Sequence, residues 1–307
     1  MMRIATSQIY QQASKSIGDR QIALSRVQQQ LASGSRILDH SDDPVGSARL
    51  LGLNDELGRY EQYQRNINLA NSRLGIEDAA LGSADELLQR ARELTIQANT
   101  DTLNDSNRNN IAKEIRQLHD QLFNVANTRD GDGEYLFAGF QSNTQPFVRN
   151  GTTPSQIDYK GDQGQRLIKA GPTLDIAAGD PGTDVFGIDP SDPTKGAFAV
   201  LDRLATTLET SPATLHQDLG TSLQDLDQHL DSLSATRTKV GVRMKALEDQ
   251  EYANDGFTLH LQQTISDVGG LDYAEAAARL SQETFLLQAA QQTFQRIQGL
   301  SLFNYMR

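Results

Sequence analysis

Apolar side chains recur every seven residues through much of this 307-residue chain, and that period restricts its fold more than any other feature. Near the start, Tyr10, Ile17, Leu24, Leu31 and Leu38 form one such row. A second runs through Leu53, Tyr60, Ile67, Leu74, Leu81 and Leu88, and near the end Leu280, Leu287 and Phe294 repeat the spacing. Side chains seven apart lie on one helical stripe, so the chain is expected to fold into helices that pack lengthwise. The rows differ in strength. In the first, the alternate seam positions hold Ala13, Arg20, Val27 and Gly34, and the last helix is crowded with glutamines, so both would be marginal alone in water. In the second, the offset positions after Leu50 and Leu57 turn polar at Gln64, Asn71, Asp78 and Asp85, which predicts a bundle whose partners change along its length.

After the polar stretch NTDTLNDSNRNN, a third helix is marked by Ile111, Ile115, Leu118, Leu122 and Val125 at spacings of four and three. Helical signal returns at AFAVLDRLATTLE. It is strongest from Leu219 to Leu247, where Arg237 alone interrupts the seam, and Gly269 with Gly270 supplies a break before the last helix. Between Asn127 and Gly196, glycine, proline and aspartate become frequent and the helical period disappears. Here IDYKGDQGQRLIKAG reads as two strands joined by a hairpin at Gly161, Asp162, Gln163 and Gly164, and GDPGTDVFGIDPSDPTKG as an irregular loop. The predicted class is mainly α with a small β-rich insert.

Composition narrows the function. Only 37% of residues are hydrophobic and tryptophan is absent, which is lean for a compact enzyme of this length and favours an elongated or assembled form. A net charge of -12 repels phosphate backbones and anionic lipid, so neither nucleic acid nor membrane is expected as a partner. The absence of cysteine excludes disulfides, thiol redox chemistry and Cys-ligated zinc. No apolar run of signal-peptide length or of about 18 residues occurs, so Sec-type secretion and membrane insertion are disfavoured, while export without a cleaved signal peptide stays open.

Catalytic and metal motifs are missing: there is no GxSxG, HExxH, Walker-type loop or GxGxxG, and His40, His119, His216, His229 and His260 are scattered without ligand spacing. Asp130, Gly131, Asp132 and Gly133 lack the sixth-position glycine and closing glutamate of a calcium loop. The cluster of Asp180, Asp184, Asp189 and Asp192 lies among proline and glycine, where an exposed loop is the simpler reading than a metal-binding or hydrolytic enzyme. No catalytic residue, cofactor or metal is therefore assigned. The weakly apolar terminal helices remain to be explained. They gain too little burial to hold one position in a lone monomer, and neighbouring subunits would supply what is missing.

Several segments carry a resemblance: MRIATSQIY at 2–10, QQQLASGSRILDHSDDPVGSARLLGL at 28–53, EYLFAGF at 134–140, IDYKGDQGQR at 157–166 and the closing LLQAAQQTFQRIQGLSLFNYMR. Through them the chain resembles the flagellin superfamily. Where flagellins usually continue Asp-Asp-Ala-Ala-Gly, this chain has Asp42-Asp43-Pro44-Val45-Gly46, which favours the branch at the junction between hook and filament over flagellin or a flagellin-like filament subunit.

The resemblance implies an elongated flagellin-like architecture with paired N- and C-terminal helices and a long helical bundle. It places residues 1–40 and 270–307 in a terminal coiled-coil region forming an inner tube, 41–138 and 197–269 in a helical rod domain, and 139–196 in a β-rich outer domain. It implies a structural role in the extracellular flagellum, joining hook to filament and templating flagellin. Implied partners are a neighbouring hook-associated protein, flagellin, further copies of the chain in a ring, and a flagellar export chaperone of a type III apparatus. Candidate assembly residues are Ile17, Leu24, Leu31, Gly34, Leu38, Asp42, Asp43, Pro44, Leu280, Leu287, Phe294 and Ile297, with Leu280, Leu287 and Phe294 also expected to bind the chaperone. Locally, an Asp or Ser cap followed by Pro44 starts a helix well.

Overall fold

The computed structural model describes residues 2–150, 157–188 and 195–303, with side chains described for residue 8 and from residue 10 to residue 296 within those spans. Seven helices and four short strands occur among the described residues: α1 (Met2–Ser33), α2 (Pro44–Ala98), α3 (Asp105–Ala126), β1 (Phe147–Arg149), β2 (Ile157–Tyr159), β3 (Leu167–Lys169), β4 (Asp175–Ala177), α4 (Gly182–Phe186), α5 (Ala197–Thr210), α6 (Leu215–Gly269) and α7 (Tyr273–Phe303). The chain divides into two compact units, one made of Met1–Tyr60 with Gly256–Arg307 and the other of Glu61–Asp255.

In the second unit, α2 is continuous where the seven-residue row predicted it, and Ile67, Leu74, Leu81 and Leu88 are fully buried. Its second buried row lies one position before the polar offsets noted in the sequence. Ala70, Glu77, Ala84 and Ala91 fill it, rather than the positions of Asn71, Asp78 and Asp85. Alanine carries little apolar weight in a pattern search, yet its small side chain lets helices approach closely, so the true seam is small-on-large. Leu219, Leu226, Leu233, Val240 and Leu247 of α6 are buried at sevens in the same core. Arg237, which interrupts the predicted α6 seam, is part-exposed and pairs with Asp78 of α2 at 3.1 Å.

Helices α3 and α5 pack together through Ile115, Leu118 and Leu122 on one side and Leu201, Leu204 and Leu208 on the other. Asn104 starts α3 by accepting a hydrogen bond from the Asn107 amide at 2.9 Å, the usual way to satisfy an orphan N–H. Arg116 of α3 reaches Glu209 and Asp202 of α5 at 2.7 and 3.2 Å.

The insert contains the predicted strands but pairs them otherwise. β2 lies antiparallel to β1, with Val148 opposite Asp158, and β3 lies antiparallel to β4, with Ile168 opposite Ile176. The expected hairpin between β2 and β3 is absent because residues 161–164 are drawn to a different turn. Asp162 accepts the amides of Phe140 and Gly164 at 2.9 and 2.8 Å, while the Tyr159 hydroxyl donates to the carbonyls of Phe137 and Asp162. Strands of three residues bury little, and aromatic rings supply the rest of the core: Phe147 meets Tyr159, Phe186 and Phe198 with centroids 5.2–5.5 Å apart. The segment read as an irregular loop holds α4, whose Val185 and Phe186 are buried and which ends at Gly187 with φ +63°.

Candidate assembly site

The first unit brings the candidate residues together from both ends of the chain. α1 and α7 pack side by side, with half-buried Ile17, Leu24 and Leu31 on one helix and half-buried Leu280, Leu287 and Phe294 on the other. Tyr10 meets Phe294 edge to face, ring centroids 5.9 Å apart. Val27 and Ala276 are buried in the same unit. Arg20 and Glu283, each at a seam position, pair across the helices at 3.2 Å. The Ile297 side chain lies outside the described residues.

Where α1 ends, the chain crosses the turn between α6 and α7. Gly34 adopts φ +68°, the left-handed conformation that glycine takes at least cost, and its carbonyl accepts the Leu271 amide at 3.1 Å. The Arg36 amide donates to the Gly269 carbonyl at 2.8 Å, so Ser35 and Gly270 form an isolated antiparallel bridge. A Cβ at position 34 would stand 2.8 Å from the Tyr273 hydroxyl. Conformation thus favours glycine there, and a larger residue would also have to displace the exposed Tyr273 side chain.

The following turn divides its two aspartates between two tasks. Asp42 folds the turn itself: its Oδ2 accepts the amides of Leu38 and Asp39 at 3.2 Å, and its carboxylate pairs with Arg26. Asp43 is the cap of α2, accepting the Gly46 amide at 2.8 Å, with Pro44 in the first helical position where a missing N–H costs nothing. Arg36 clamps the crossing, donating to Asp43 at 3.0 Å and to the Val268 carbonyl at 2.9 Å. The Gly46 amide first, and then Arg36, hold the Asp43 carboxyl below its ordinary value of 3.8. On the other strand of the crossing, Asp272 caps α7 through the Ala274 and Glu275 amides.

The structure brings Gly34, Leu38 and the Asp42-Asp43-Pro44 segment to this crossing together with Ser35, Arg36 and Tyr273, which the sequence did not single out as site residues and each of which has a partner more than two hundred residues away. Nor did the sequence single out Ile22 and Phe285, large apolar side chains 70% and 69% exposed on α1 and α7. Their signal was an apolar residue off the seven-residue row in a glutamine-rich helix. Among the described residues no group of three or more His, Cys, Asp or Glu side chains is placed to hold a metal, and no helix is long and apolar enough to cross a membrane. In the aspartate-rich middle segment, Asp130 and Asp180 are engaged by Arg73 and Arg243, Asp184 is exposed, and Asp189 and Asp192 lie outside the described residues. The crossing is built to join chain segments.

Residues 4–142 match the model of the bacterial flagellin N-terminal helical region. Flagellar hook-associated protein 3 of Escherichia coli strain K12 is 27% identical over 98% of this chain and 99% of its own length. The protein of the same name from Salmonella typhimurium is 24% identical over the whole of both chains. A flagellin from Escherichia coli O127:H6 is 34% identical, but only over 40% of this chain and 22% of that protein. Among solved structures, a flagellar hook-associated protein from Vibrio parahaemolyticus superposes with a TM-score of 0.68 at 21% identity, covering 75% of this chain and all of that one. The flagellar junction protein FlgL from Legionella pneumophila gives 0.61 at 20%, covering 72% and 100%. At such identities these neighbours show the fold alone. The chain is thus flagellin-like in fold, matches the flagellin N-terminal helical region over residues 4–142, and is similar from end to end to flagellar hook-associated protein 3.

Proposed function

We propose that this chain is a structural subunit of the bacterial flagellum that sits between hook and filament and presents a surface on which flagellin assembles. The carrying observation is the end-to-end match to hook-associated protein 3, 27% identical with 98% of this chain aligned to 99% of the relative, beside a Bacillus subtilis flagellin that is 25% identical over 86% of this chain and 85% of its own length. The role is mechanical rather than catalytic. On this reading α1 and α7 form the inner tube, the crossing at 34–43 and 268–273 sets the angle at which each subunit leaves it, and the strand-bearing insert faces outward. Ile22 and Phe285 are the apolar side chains on these helices that a neighbouring flagellar subunit would cover. The stripe of Leu280, Leu287 and Phe294 would be held by an export chaperone before it pairs with α1.

The test is location. Gold-labelled antibody against the chain should mark isolated flagella at a single band between hook and filament, and cells lacking the chain should build hooks and shed flagellin into the medium. Label spread along the filament would instead make it a filament subunit.

A further inference from the structure

A buried charge cluster in the second unit belongs neither to the crossing nor to the paired terminal helices. Glu77 of α2 is 1% exposed and occupies a seam position that the small residues Ala70, Ala84 and Ala91 fill elsewhere. Its Oε1 accepts the Asp180 amide at 2.9 Å, whereas its Oε2 is buried with no hydrogen-bond partner among the described residues. The Asp180 carboxylate, itself buried, takes two hydrogen bonds from Arg243 of α6 at 2.8 and 2.9 Å and a third from Gln165 at 2.8 Å. Arg73, one turn before Glu77, is committed to Asp130 at 3.0 Å, Glu134 at 3.1 Å and the Tyr135 carbonyl at 3.4 Å. Arg166 also pairs with Glu134.

The cations are therefore engaged by other acids, and Glu77 is left as a carboxyl with one donor for two oxygens. An ionised carboxylate is poorly solvated in such a place, and protonation removes the cost of that buried charge. The segment it touches is the backbone after β4. A Cβ at Gly179 would lie 3.9 Å from both Glu77 Oε2 and Arg73 Nε, and the Gly182 amide ties the same segment to the Phe137 carbonyl.

We propose that Glu77, with Asp180 and Arg243, is a proton-operated latch: while Glu77 is neutral, segment 178–182 of the insert stays closed over it on α2 and α6, and ionisation of this buried carboxyl loosens the segment. Burial first, and then the facing Asp180 charge, push the Glu77 carboxyl up from 4.5 to about 7, against the lowering influence of the Asp180 amide, Arg243 and Arg73. The folded state thus binds the proton more tightly than the unfolded chain. Stability from this group is complete below 4.5 and is lost as pH rises through about 7, the reverse of a paired surface carboxylate. His119 and His229, which burial holds neutral, act in the opposite sense over the neighbouring window, so a variant comparison is needed to isolate Glu77.

The experiment is hydrogen exchange on the full chain and on Glu77→Gln, corrected for intrinsic rates, at about pH 5.5 and about pH 8. Wild-type protection of amides 178–182 should fall by roughly tenfold or more across that range, since one linked proton changes the opening equilibrium up to tenfold per pH unit. Glu77→Gln should lose this fall and keep only the opposite change that the histidines contribute. Equal pH dependence in both proteins, or none in either, would overturn the latch. Should Glu77→Gln fail to fold, carboxyl carbon NMR of the wild type decides: a Glu77 midpoint near neutrality upholds the proposal, and one in the ordinary carboxylate range removes it.

Discussion

Arg20 and Glu283 face each other across the seam between α1 and α7 and pair at 3.2 Å, a charged rung in an otherwise weakly apolar interface. With the arginine 42% and the glutamate 20% exposed, the pair adds little stability, below about 1 kcal/mol. Its value is register, because sliding one helix by a turn would set each charge against an apolar neighbour. Arg20→Glu should lower the thermal midpoint of the terminal helices, and the double exchange Arg20→Glu with Glu283→Arg should restore it. Failure of the exchange to restore would remove the pairing as a register device.

Leu287 and Phe294 are half-buried apolar side chains of the C-terminal helix. Full burial of such side chains is worth about 1.5–3 kcal/mol each, and half-burial about half of that, which is decisive for a marginal helix and irrelevant to a separate core. Changing both to Ser should raise protease cleavage in α1 and α7 while leaving residues 61–255 resistant. If α7 stays protected, its docking depends on other residues.

Gly34 offers a cleaner dissection, since two costs act at one position. Gly34→Ala places a Cβ against the Tyr273 hydroxyl and also forces alanine to φ +68°, a conformation costing roughly 1–2 kcal/mol. Adding Tyr273→Phe removes the steric part only. The single variant should melt lowest and the double variant should recover part of the loss. Full recovery would mean that the backbone conformation carries no cost here.

Asp43 gives the crossing an acid limit. Its carboxyl is held below 3.8 by the Gly46 amide and Arg36, so its contribution is present above that value and is lost as pH falls through the lowered one. Exchange of the Gly46 amide should accelerate below pH 3.8 in the wild type and be fast at every pH in Asp43→Ala. An amide in the wild type that exchanges equally at acid and neutral pH would show that the cap is not held by charge.

The terminal helices and both long internal helices were legible in the sequence because leucines at sevens leave a local trace. Their detailed packing was less so. The offset positions of α2 turn polar at Gln64, Asn71, Asp78 and Asp85, and the buried row at Ala70, Glu77, Ala84 and Ala91 beside them leaves no apolar trace because alanine is nearly neutral and glutamate is polar. The strands around 157 and 167 were visible, but their partners depend on Asp162 reaching the Phe140 amide, a contact across 22 residues. At the crossing, Asp43 and Pro44 announce a helix start by local chemistry alone. Tyr273 beside Gly34 leaves no local trace, because the pairing spans most of the chain.

That span has a kinetic meaning. Ser35 and Gly269, joined through a side-chain hydroxyl and a carbonyl, stand 234 positions apart. Closing so long a loop from an unfolded coil carries an entropic cost that grows with the logarithm of its length. Residues 61–255 condense on shorter-range contacts and draw the two ends of that loop inward before the bridge forms. By the same measure the stitch at Ser35 and Gly270 is expected to form after the shorter-range contacts of residues 61–255. During refolding, pulse-labelled exchange will show the Arg36 and Leu271 amides gaining protection only after that of Ile115.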